Sequence, residues 1–134
     1  MYDPAVYEAY GYAGGEAQLP GEHAAPDGCL LLALVDAKLA GCIALRKFSE
    51  GECEMRMLFV QPEFHGQGID KTLVLRLLDE AKKLGYSSMR LETSTGMDSA
   101  HRLYRSLGFR DVQAYYAVEH SLKDVEMYME KALG

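Results

Sequence analysis

The feature that most constrains this chain is a change of hydrophobic period partway along it. Cys53 to Val60 and Ser88 to Thr93 are segments of strand length. Between them Ile69, Leu73, Leu77, Ala81 and Leu84 recur every three or four residues, with Val74 and Leu78 alongside. Arg76, Asp79, Glu80, Lys82 and Lys83 fill the other positions. That spacing predicts an amphipathic helix over 68–84, buried on one side. Gly85 follows, where a left-handed C-terminal cap belongs. A helical crossover of about 25 residues makes the two strands parallel neighbours, since a tight turn joins only antiparallel ones.

The flanks supply more strands. Cys29 to Val35 is continuously apolar, and Gly41 to Leu45 follows a tight turn at Asp36-Ala37-Lys38, which predicts a hairpin. Ser49-Glu50-Gly51-Glu52 is another turn. Beyond the crossover, Ala100, Leu103, Tyr104 and Leu107 share one face of a second helix, which Gly108 ends with Phe109 just past it. Tyr115 to Val118 and Val125 to Met129 are the last strand candidates. At the other end, a short helix over Pro4 to Tyr10 is expected to stop at Gly11, Gly14 and Gly15, with Pro20, Gly21, Pro26 and Gly28 in loop. The 134 residues suit one domain. The expected class is α/β (or α+β): a three-layer domain on a mixed sheet.

Charge narrows the partners. A formal net charge of −6 and a pI of about 5.2 argue against nucleic acid and anionic membranes, whose binders cluster Lys and Arg. The same balance is mildly favourable to a cationic small substrate. No apolar run approaches the ~20 residues of a membrane span, and no signal peptide is recognisable, so the expected location is cytoplasmic. Cys29, Cys42 and Cys53 form no Cys-x-x-Cys pair and read as small buried hydrophobes. His23, His65, His101 and His120 lack metal-ligand spacing, so no metal is expected.

Chemistry concentrates in two segments. Val60-Gln61-Pro62-Glu63-Phe64-His65-Gly66-Gln67-Gly68-Ile69-Asp70 joins a strand end to a helix start. Glycines allow close backbone approach, and the first helical turn offers unpaired N–H groups with partial positive charge, so the joint can hold a phosphate. Neither the Gly-Lys-Ser/Thr of a P-loop nor a third dinucleotide-type glycine is present. The other segment is Ala100-His101-Arg102-Leu103-Tyr104-Arg105-Ser106-Leu107-Gly108-Phe109. Tyr104, on the apolar face, is either a core aromatic with a tethered hydroxyl or a phenol placed to protonate a leaving group.

Together these segments resemble the GNAT superfamily of acyl-CoA N-acyltransferases. Residues 61–68 are similar to its Arg/Gln-x-x-Gly-x-Gly/Ala turn, with His65 where arginine is usual, and residues 100–109 to its Ala-x-x-Leu-Tyr-x-x-x-Gly-Phe helix. Glu54 to Val60 looks like the family's Glu-Ile-Lys-Arg-Leu-Tyr-Val strand, and Leu19 to Pro26 like a segment of one bacterial subgroup. The likeness covers residues 18–132, leaving 1–17 as a shortened N-terminal segment.

The resemblance implies a splayed sheet with the pantetheine arm of acetyl-CoA, the co-substrate, between the two parallel strands. Backbone groups of Leu58, Phe59 and Val60 would pair with the arm. His65 and the N–H groups of Gly66, Gln67, Gly68, Ile69, Asp70 and Lys71 would hold the pyrophosphate. A primary amine of a small molecule or peptide would attack the thioester directly. Tyr104 would protonate the departing thiolate and Glu54, through water, would accept a proton from the amine; Glu52 and Glu92 are rival bases. Three departures stand out. His65 makes a permanent charge conditional on pH. Asp70 puts a carboxylate where a small residue is usual. The short N-terminus would leave a sheet edge uncovered, open to pairing in a homodimer. The alternative function is a non-catalytic acyl-CoA-binding or interaction domain on the same scaffold.

Overall fold

The computed structural model describes residues 5–10, 28–94, 98–112 and 126–134. Seven strands and two α-helices are found there: β1 (Ala5–Tyr10), β2 (Cys29–Val35), β3 (Lys38–Ser49), β4 (Glu52–Val60), α1 (Ile69–Lys83), β5 (Ser88–Ser94), α2 (Asp98–Ser106), β6 (Arg110–Val112) and β7 (Glu126–Ala132). They form one mixed sheet in the order β1-β2-β3-β4-β5-β7-β6. The β4–β5 pair is parallel and its neighbours antiparallel, as the crossover length requires.

Period decides which faces are buried. Ile69, Leu73, Val74, Leu77, Leu78 and Ala81 of α1 join Leu31, Ile43, Leu45, Cys53, Met55, Met89, Leu91 and Met129 of the sheet in one core. Tyr104 and Phe109 complete it, their rings 5.9 Å apart edge to face. Leu84, expected on the buried stripe, is 43% exposed, because the helix has already ended and Leu84 serves as its C-cap. Cys29 and Cys53 are buried as expected, whereas Cys42 is only half-buried.

The β2–β3 turn is tighter than usual for its composition. Val35 pairs with Lys38, so Asp36 and Ala37 alone make the loop, at φ 50° and 66°. Two successive left-handed residues define a type I′ turn, which suits the twist of a hairpin but favours Asn-Gly over Asp-Ala.

Two expectations change. Residues 5–10 are a strand, paired with β2 from Ala5↔Leu34 to Tyr10↔Leu30, and not a helix. Six residues gain little as an isolated helix, while Val6, Tyr7 and Tyr10 favour strands and acquire a ladder. The β2 edge expected to lie bare, and to support a homodimer, is therefore paired within the chain. The strand expected over Tyr115–Val118 lies outside the described residues. The short strand β6 was not expected.

Candidate active site

The site begins where a ladder stops. β4 and β5 pair at Glu52↔Ser88, Cys53↔Met89 and Glu54↔Arg90, and no further. Each strand then continues with its outer partner: β4 with β3 as far as Gly41↔Val60, β5 with β7 as far as Ser94↔Glu126. Met55–Val60 and Leu91–Ser94 thus diverge and leave backbone groups facing a gap. A bulge lies on the β4 side of it. Between Ala44↔Arg56 and Cys42↔Phe59, Met57 and Leu58 stand opposite Ile43 alone, with Met57 at φ 60°. An extra residue bends its strand and increases the local twist. Leu58, Phe59 and Val60, the segment expected to pair with the pantetheine arm, follow directly.

Gly41 makes room for that bend. A Cβ built on it would lie 2.5 Å from the Phe59 carbonyl oxygen and 3.3 Å from Val60 Cα. Its φ is not left-handed, so glycine serves space and not conformation there. Further ties draw the end of β4 toward β3: Gln61 N–H donates to Ala40 O (2.7 Å) and Gln61 Nε2 to Leu39 O (3.2 Å).

The strand-to-helix joint is folded and braced. A 3₁₀ turn covers Pro62–Phe64, and Phe64 plugs into the core. Gly66 and Gly68 sit at φ 83° and 77°, and an added Cβ at either would meet nothing. Glycine is needed there for its conformation. Gly68 is the α1 N-cap and makes no side-chain cap, so the first helical N–H groups are left for other partners. Two groups differ from expectation. His65 Nε2 hydrogen-bonds Val60 O at 2.8 Å, so the ring braces the loop against β4. Asp70 Oδ1 accepts from the Lys71 N–H at 2.8 Å, occupying one donor expected to hold pyrophosphate.

Tyr104 is 6% exposed, and among the described residues no hydrogen bond is made by its hydroxyl. Burial first, and the negative charge of Asp70 second, push its pKa from 10 to about 12. Such a phenol stays protonated throughout the neutral range. One turn earlier on α2, the buried His101 meets Thr93 Oγ1 of β5 at 3.4 Å, beside the gap.

Glu54 is 2% exposed and lies on the face opposite α1. Arg46 Nε contacts its Oε1 at 2.9 Å and Arg56 Nη1 the same oxygen at 3.7 Å. Of its rivals, Glu52 is tied to Arg90 Nε at 2.7 Å and to Ser49 Oγ at 3.1 Å, while Glu92 is exposed. Sequence reasoning overlooked Gly41, Arg46 and Arg56. A glycine inside an apolar strand and charged residues spaced by two along β4 were the available signals for Gly41 and Arg56; Arg46 lies on β3, opposite Glu54. Among the described residues no three His, Cys, Asp or Glu side chains converge as a metal ion would require, and no helix is long and apolar enough to cross a membrane.

Comparison with known proteins fits this geometry. Residues 2–109 match the profile of the Acetyltransferase (GNAT) family. An uncharacterised N-acetyltransferase of Schizosaccharomyces pombe is 41% identical over 93 residues, 68% of this chain and 57% of that protein. An N-acetylaspartate synthetase of Xenopus tropicalis is 36% identical over 98 residues, 72% of this chain but 35% of its own length. The chain thus spans between a third and three-fifths of these relatives. A crystal structure from Klebsiella pneumoniae, described as an acyl-CoA N-acyltransferase, superposes with a TM-score of 0.80 at 20% identity, covering 98% of both chains. An acetyltransferase of Bacillus subtilis in complex with CoA gives 0.68 at 23% identity, covering 80% of this chain and 78% of that one. On the family profile, the sheet order and the gap between β4 and β5, the chain belongs to the GNAT family of acetyltransferases.

Proposed function

We propose that the chain transfers an acetyl group from acetyl-CoA to the primary amine of a small molecule or peptide by direct attack. The observation that carries this is the gap: a parallel ladder that stops at Glu54↔Arg90, beside a helix start whose N-cap glycine makes no side-chain cap. An extended pantetheine arm pairs with the free edge of Leu58–Val60 as an added strand does. The N–H groups from Gly66 to Lys71, with His65 at the rim, hold the pyrophosphate.

The chemistry follows from what lies around the gap. The neutral amine nitrogen adds to the thioester carbonyl, forming a C–N bond, and collapse of the tetrahedral species breaks C–S. The nitrogen loses one proton and the sulfur gains one. Tyr104, buried and protonated, supplies the proton to the thiolate. Glu54 accepts the amine proton through water, with exposed Glu92 as the rival; Glu52 is already taken up by Arg90 and Ser49. The Glu54 carboxylate is itself bridged by Arg46, which steadies its position but occupies one oxygen. The Xenopus relative, an N-acetylaspartate synthetase by name, makes an amino-acid amine a reasonable acceptor.

A second reading, an acyl-CoA-binding domain without turnover, is favoured by one observation: Asp70 already occupies the Lys71 N–H. Thermal shift with acetyl-CoA followed by thiol release over an amine panel separates the two. Ligand at a hundred times its dissociation constant stabilises by about 2.7 kcal/mol. Binding with thiol release supports transfer, and binding with no release on any amine supports the second reading. An absence of any shift contradicts both.

A further inference from the structure

The charges at the mouth of the gap point to the class of acceptor. This rests on the reading above, that the thioester lies between β4 and β5. Glu54↔Arg90 is the last paired position, so on the face away from α1 the next residues along are Arg56 on β4 and Glu92 on β5. Both are exposed to water. They are the first side chains on either lip of the gap.

The cations of this face are unequally engaged. Arg46 is 18% exposed and bound to buried Glu54 at 2.9 Å. Arg90 lies between Glu52 Oε2 at 2.7 Å and Glu130 Oε2 at 3.1 Å, with its guanidinium 5.0 Å from the Phe48 ring centroid. Arg56 is different. Its side chain is 41% exposed, and among the described residues its ion pair is the 3.7 Å approach to Glu54 Oε1, an oxygen Arg46 already holds. That distance is beyond a hydrogen bond. The planar fork of donors therefore retains its capacity for a bidentate carboxylate.

We propose that Arg56 anchors a carboxylate on the acceptor, and that the acceptor is an amino acid or a peptide carrying a carboxylate close to its reacting amine. A cation on the β4 lip complements the carboxylate of such an acceptor. Arg56 repels a polycationic amine, and a plain apolar amine leaves its fork unused. The overall net charge of −6, which mildly favours cationic substrates, is a property of the whole surface. Within a Debye length of about 8–10 Å, the local charges decide.

The test uses pairs of amines that differ only in the carboxylate, each α-amino acid beside its decarboxylated counterpart. The expected kcat/KM ratio is about 10- to 100-fold in favour of the amino acid, the scale of one charge-assisted bidentate contact. Arg56→Gln brings that ratio toward one, mainly through KM for the amino acid, and Arg56→Lys restores part of it. The control Lys83→Gln, on the exposed side of α1, leaves the ratio unchanged. Equal use of both members of each pair, or an unchanged ratio in Arg56→Gln, overturns the proposal. If acetyl-CoA binds and no amine turns over, the transfer reading fails but the anchor is still decided. N-acetyl amino acids must then stabilise the CoA-loaded protein against heat and lose that effect in Arg56→Gln. No stabilisation, or the same stabilisation in the variant, overturns it.

Discussion

Replacing Gly41 by alanine tests the geometry of the gap directly. The new Cβ would stand 2.5 Å from the Phe59 carbonyl oxygen, about 0.9 Å short of the 3.4 Å at which ordinary contact begins. The obstacle is backbone, so no rotamer relieves it. Either β3 or β4 must move. β3 is held by β2 on its other side, whereas β4 has no partner beyond Glu54 on its β5 side. The Leu58–Val60 segment therefore yields, and it moves into the gap. The shift stretches Gln61 N–H to Ala40 O, now 2.7 Å, and Gln61 Nε2 to Leu39 O, now 3.2 Å. Overpacking of this kind costs about 1–3 kcal/mol of stability.

The functional cost falls on acetyl-CoA. A displacement approaching 1 Å takes backbone pairs out of the 2.7–3.2 Å range in which hydrogen bonds are strong. Two or three such bonds, each worth about 0.5–1.5 kcal/mol net, amount to roughly 1–4 kcal/mol. That is about 5- to 700-fold in KM for acetyl-CoA, since 1.4 kcal/mol is tenfold. The assay is thiol release against acetyl-CoA concentration, beside Val74→Ala, a variant destabilised in the core of α1. Gly41→Ala should raise KM for acetyl-CoA well above that control, with KM for the amine little changed. A KM no higher than the control would mean that Gly41 serves packing alone and that the β4 edge does not bind the cofactor.

Four further outcomes are expected. Tyr104→Phe lowers kcat by about 10²–10⁴ while leaving the calorimetric dissociation constant of CoA nearly intact; undiminished turnover would place the acid elsewhere. Asp70→Gly tightens CoA binding in titration calorimetry. A carboxylate ~6 Å from one pyrophosphate charge at an effective dielectric of ~20 repels it by almost 3 kcal/mol, an upper figure that exceeds the 0.3–1 kcal/mol the helix dipole returns. Ala37→Gly raises stability to urea by about 0.5–1 kcal/mol, because alanine at φ 66° is strained where glycine is not. Burial pushes the Cys53 thiol from 9 to about 12. The stability this thiol contributes is complete below pH 9 and is lost as pH rises toward 12, at up to ~1.4 kcal/mol per pH unit; Cys53→Ala should flatten the decline measured between pH 9 and 11.

The parts of the fold that were legible are those that repeat. Sixteen-odd residues with one buried stripe leave little choice but a helix, and a helix between two strands leaves little choice but a parallel pair. Residues 5–10 failed this test, since six residues contain too few repeats for either period to show and the ladder with β2 decided the outcome. The bulge at Met57 was illegible for another reason. It is set by one extra residue relative to β3, and nothing in Met-Leu-Phe marks where the count slips. Gly41 had the same difficulty: a glycine that spares a neighbour's carbonyl looks, in sequence, like any other strand glycine.

The cofactor loop shows where residue type and residue role separate. His65 and Asp70 were expected to act on a pyrophosphate, one favourably and one not. In the free protein both already have partners, Val60 O for His65 and the Lys71 N–H for Asp70. On the proposed reading, cofactor binding is then an exchange. A pyrophosphate at the head of α1 must displace the Asp70 carboxylate from its N–H, whereas the His65 bond to Val60 O lies away from those N–H groups and can stay in place. The two residues thus differ in what they cost: Asp70 forfeits a bond and adds repulsion, and His65 gives up nothing. Restoring arginine at position 65 is therefore not the mirror image of removing Asp70. It adds a permanent charge but breaks the brace between the loop and the very end of β4 that the arm must pair with.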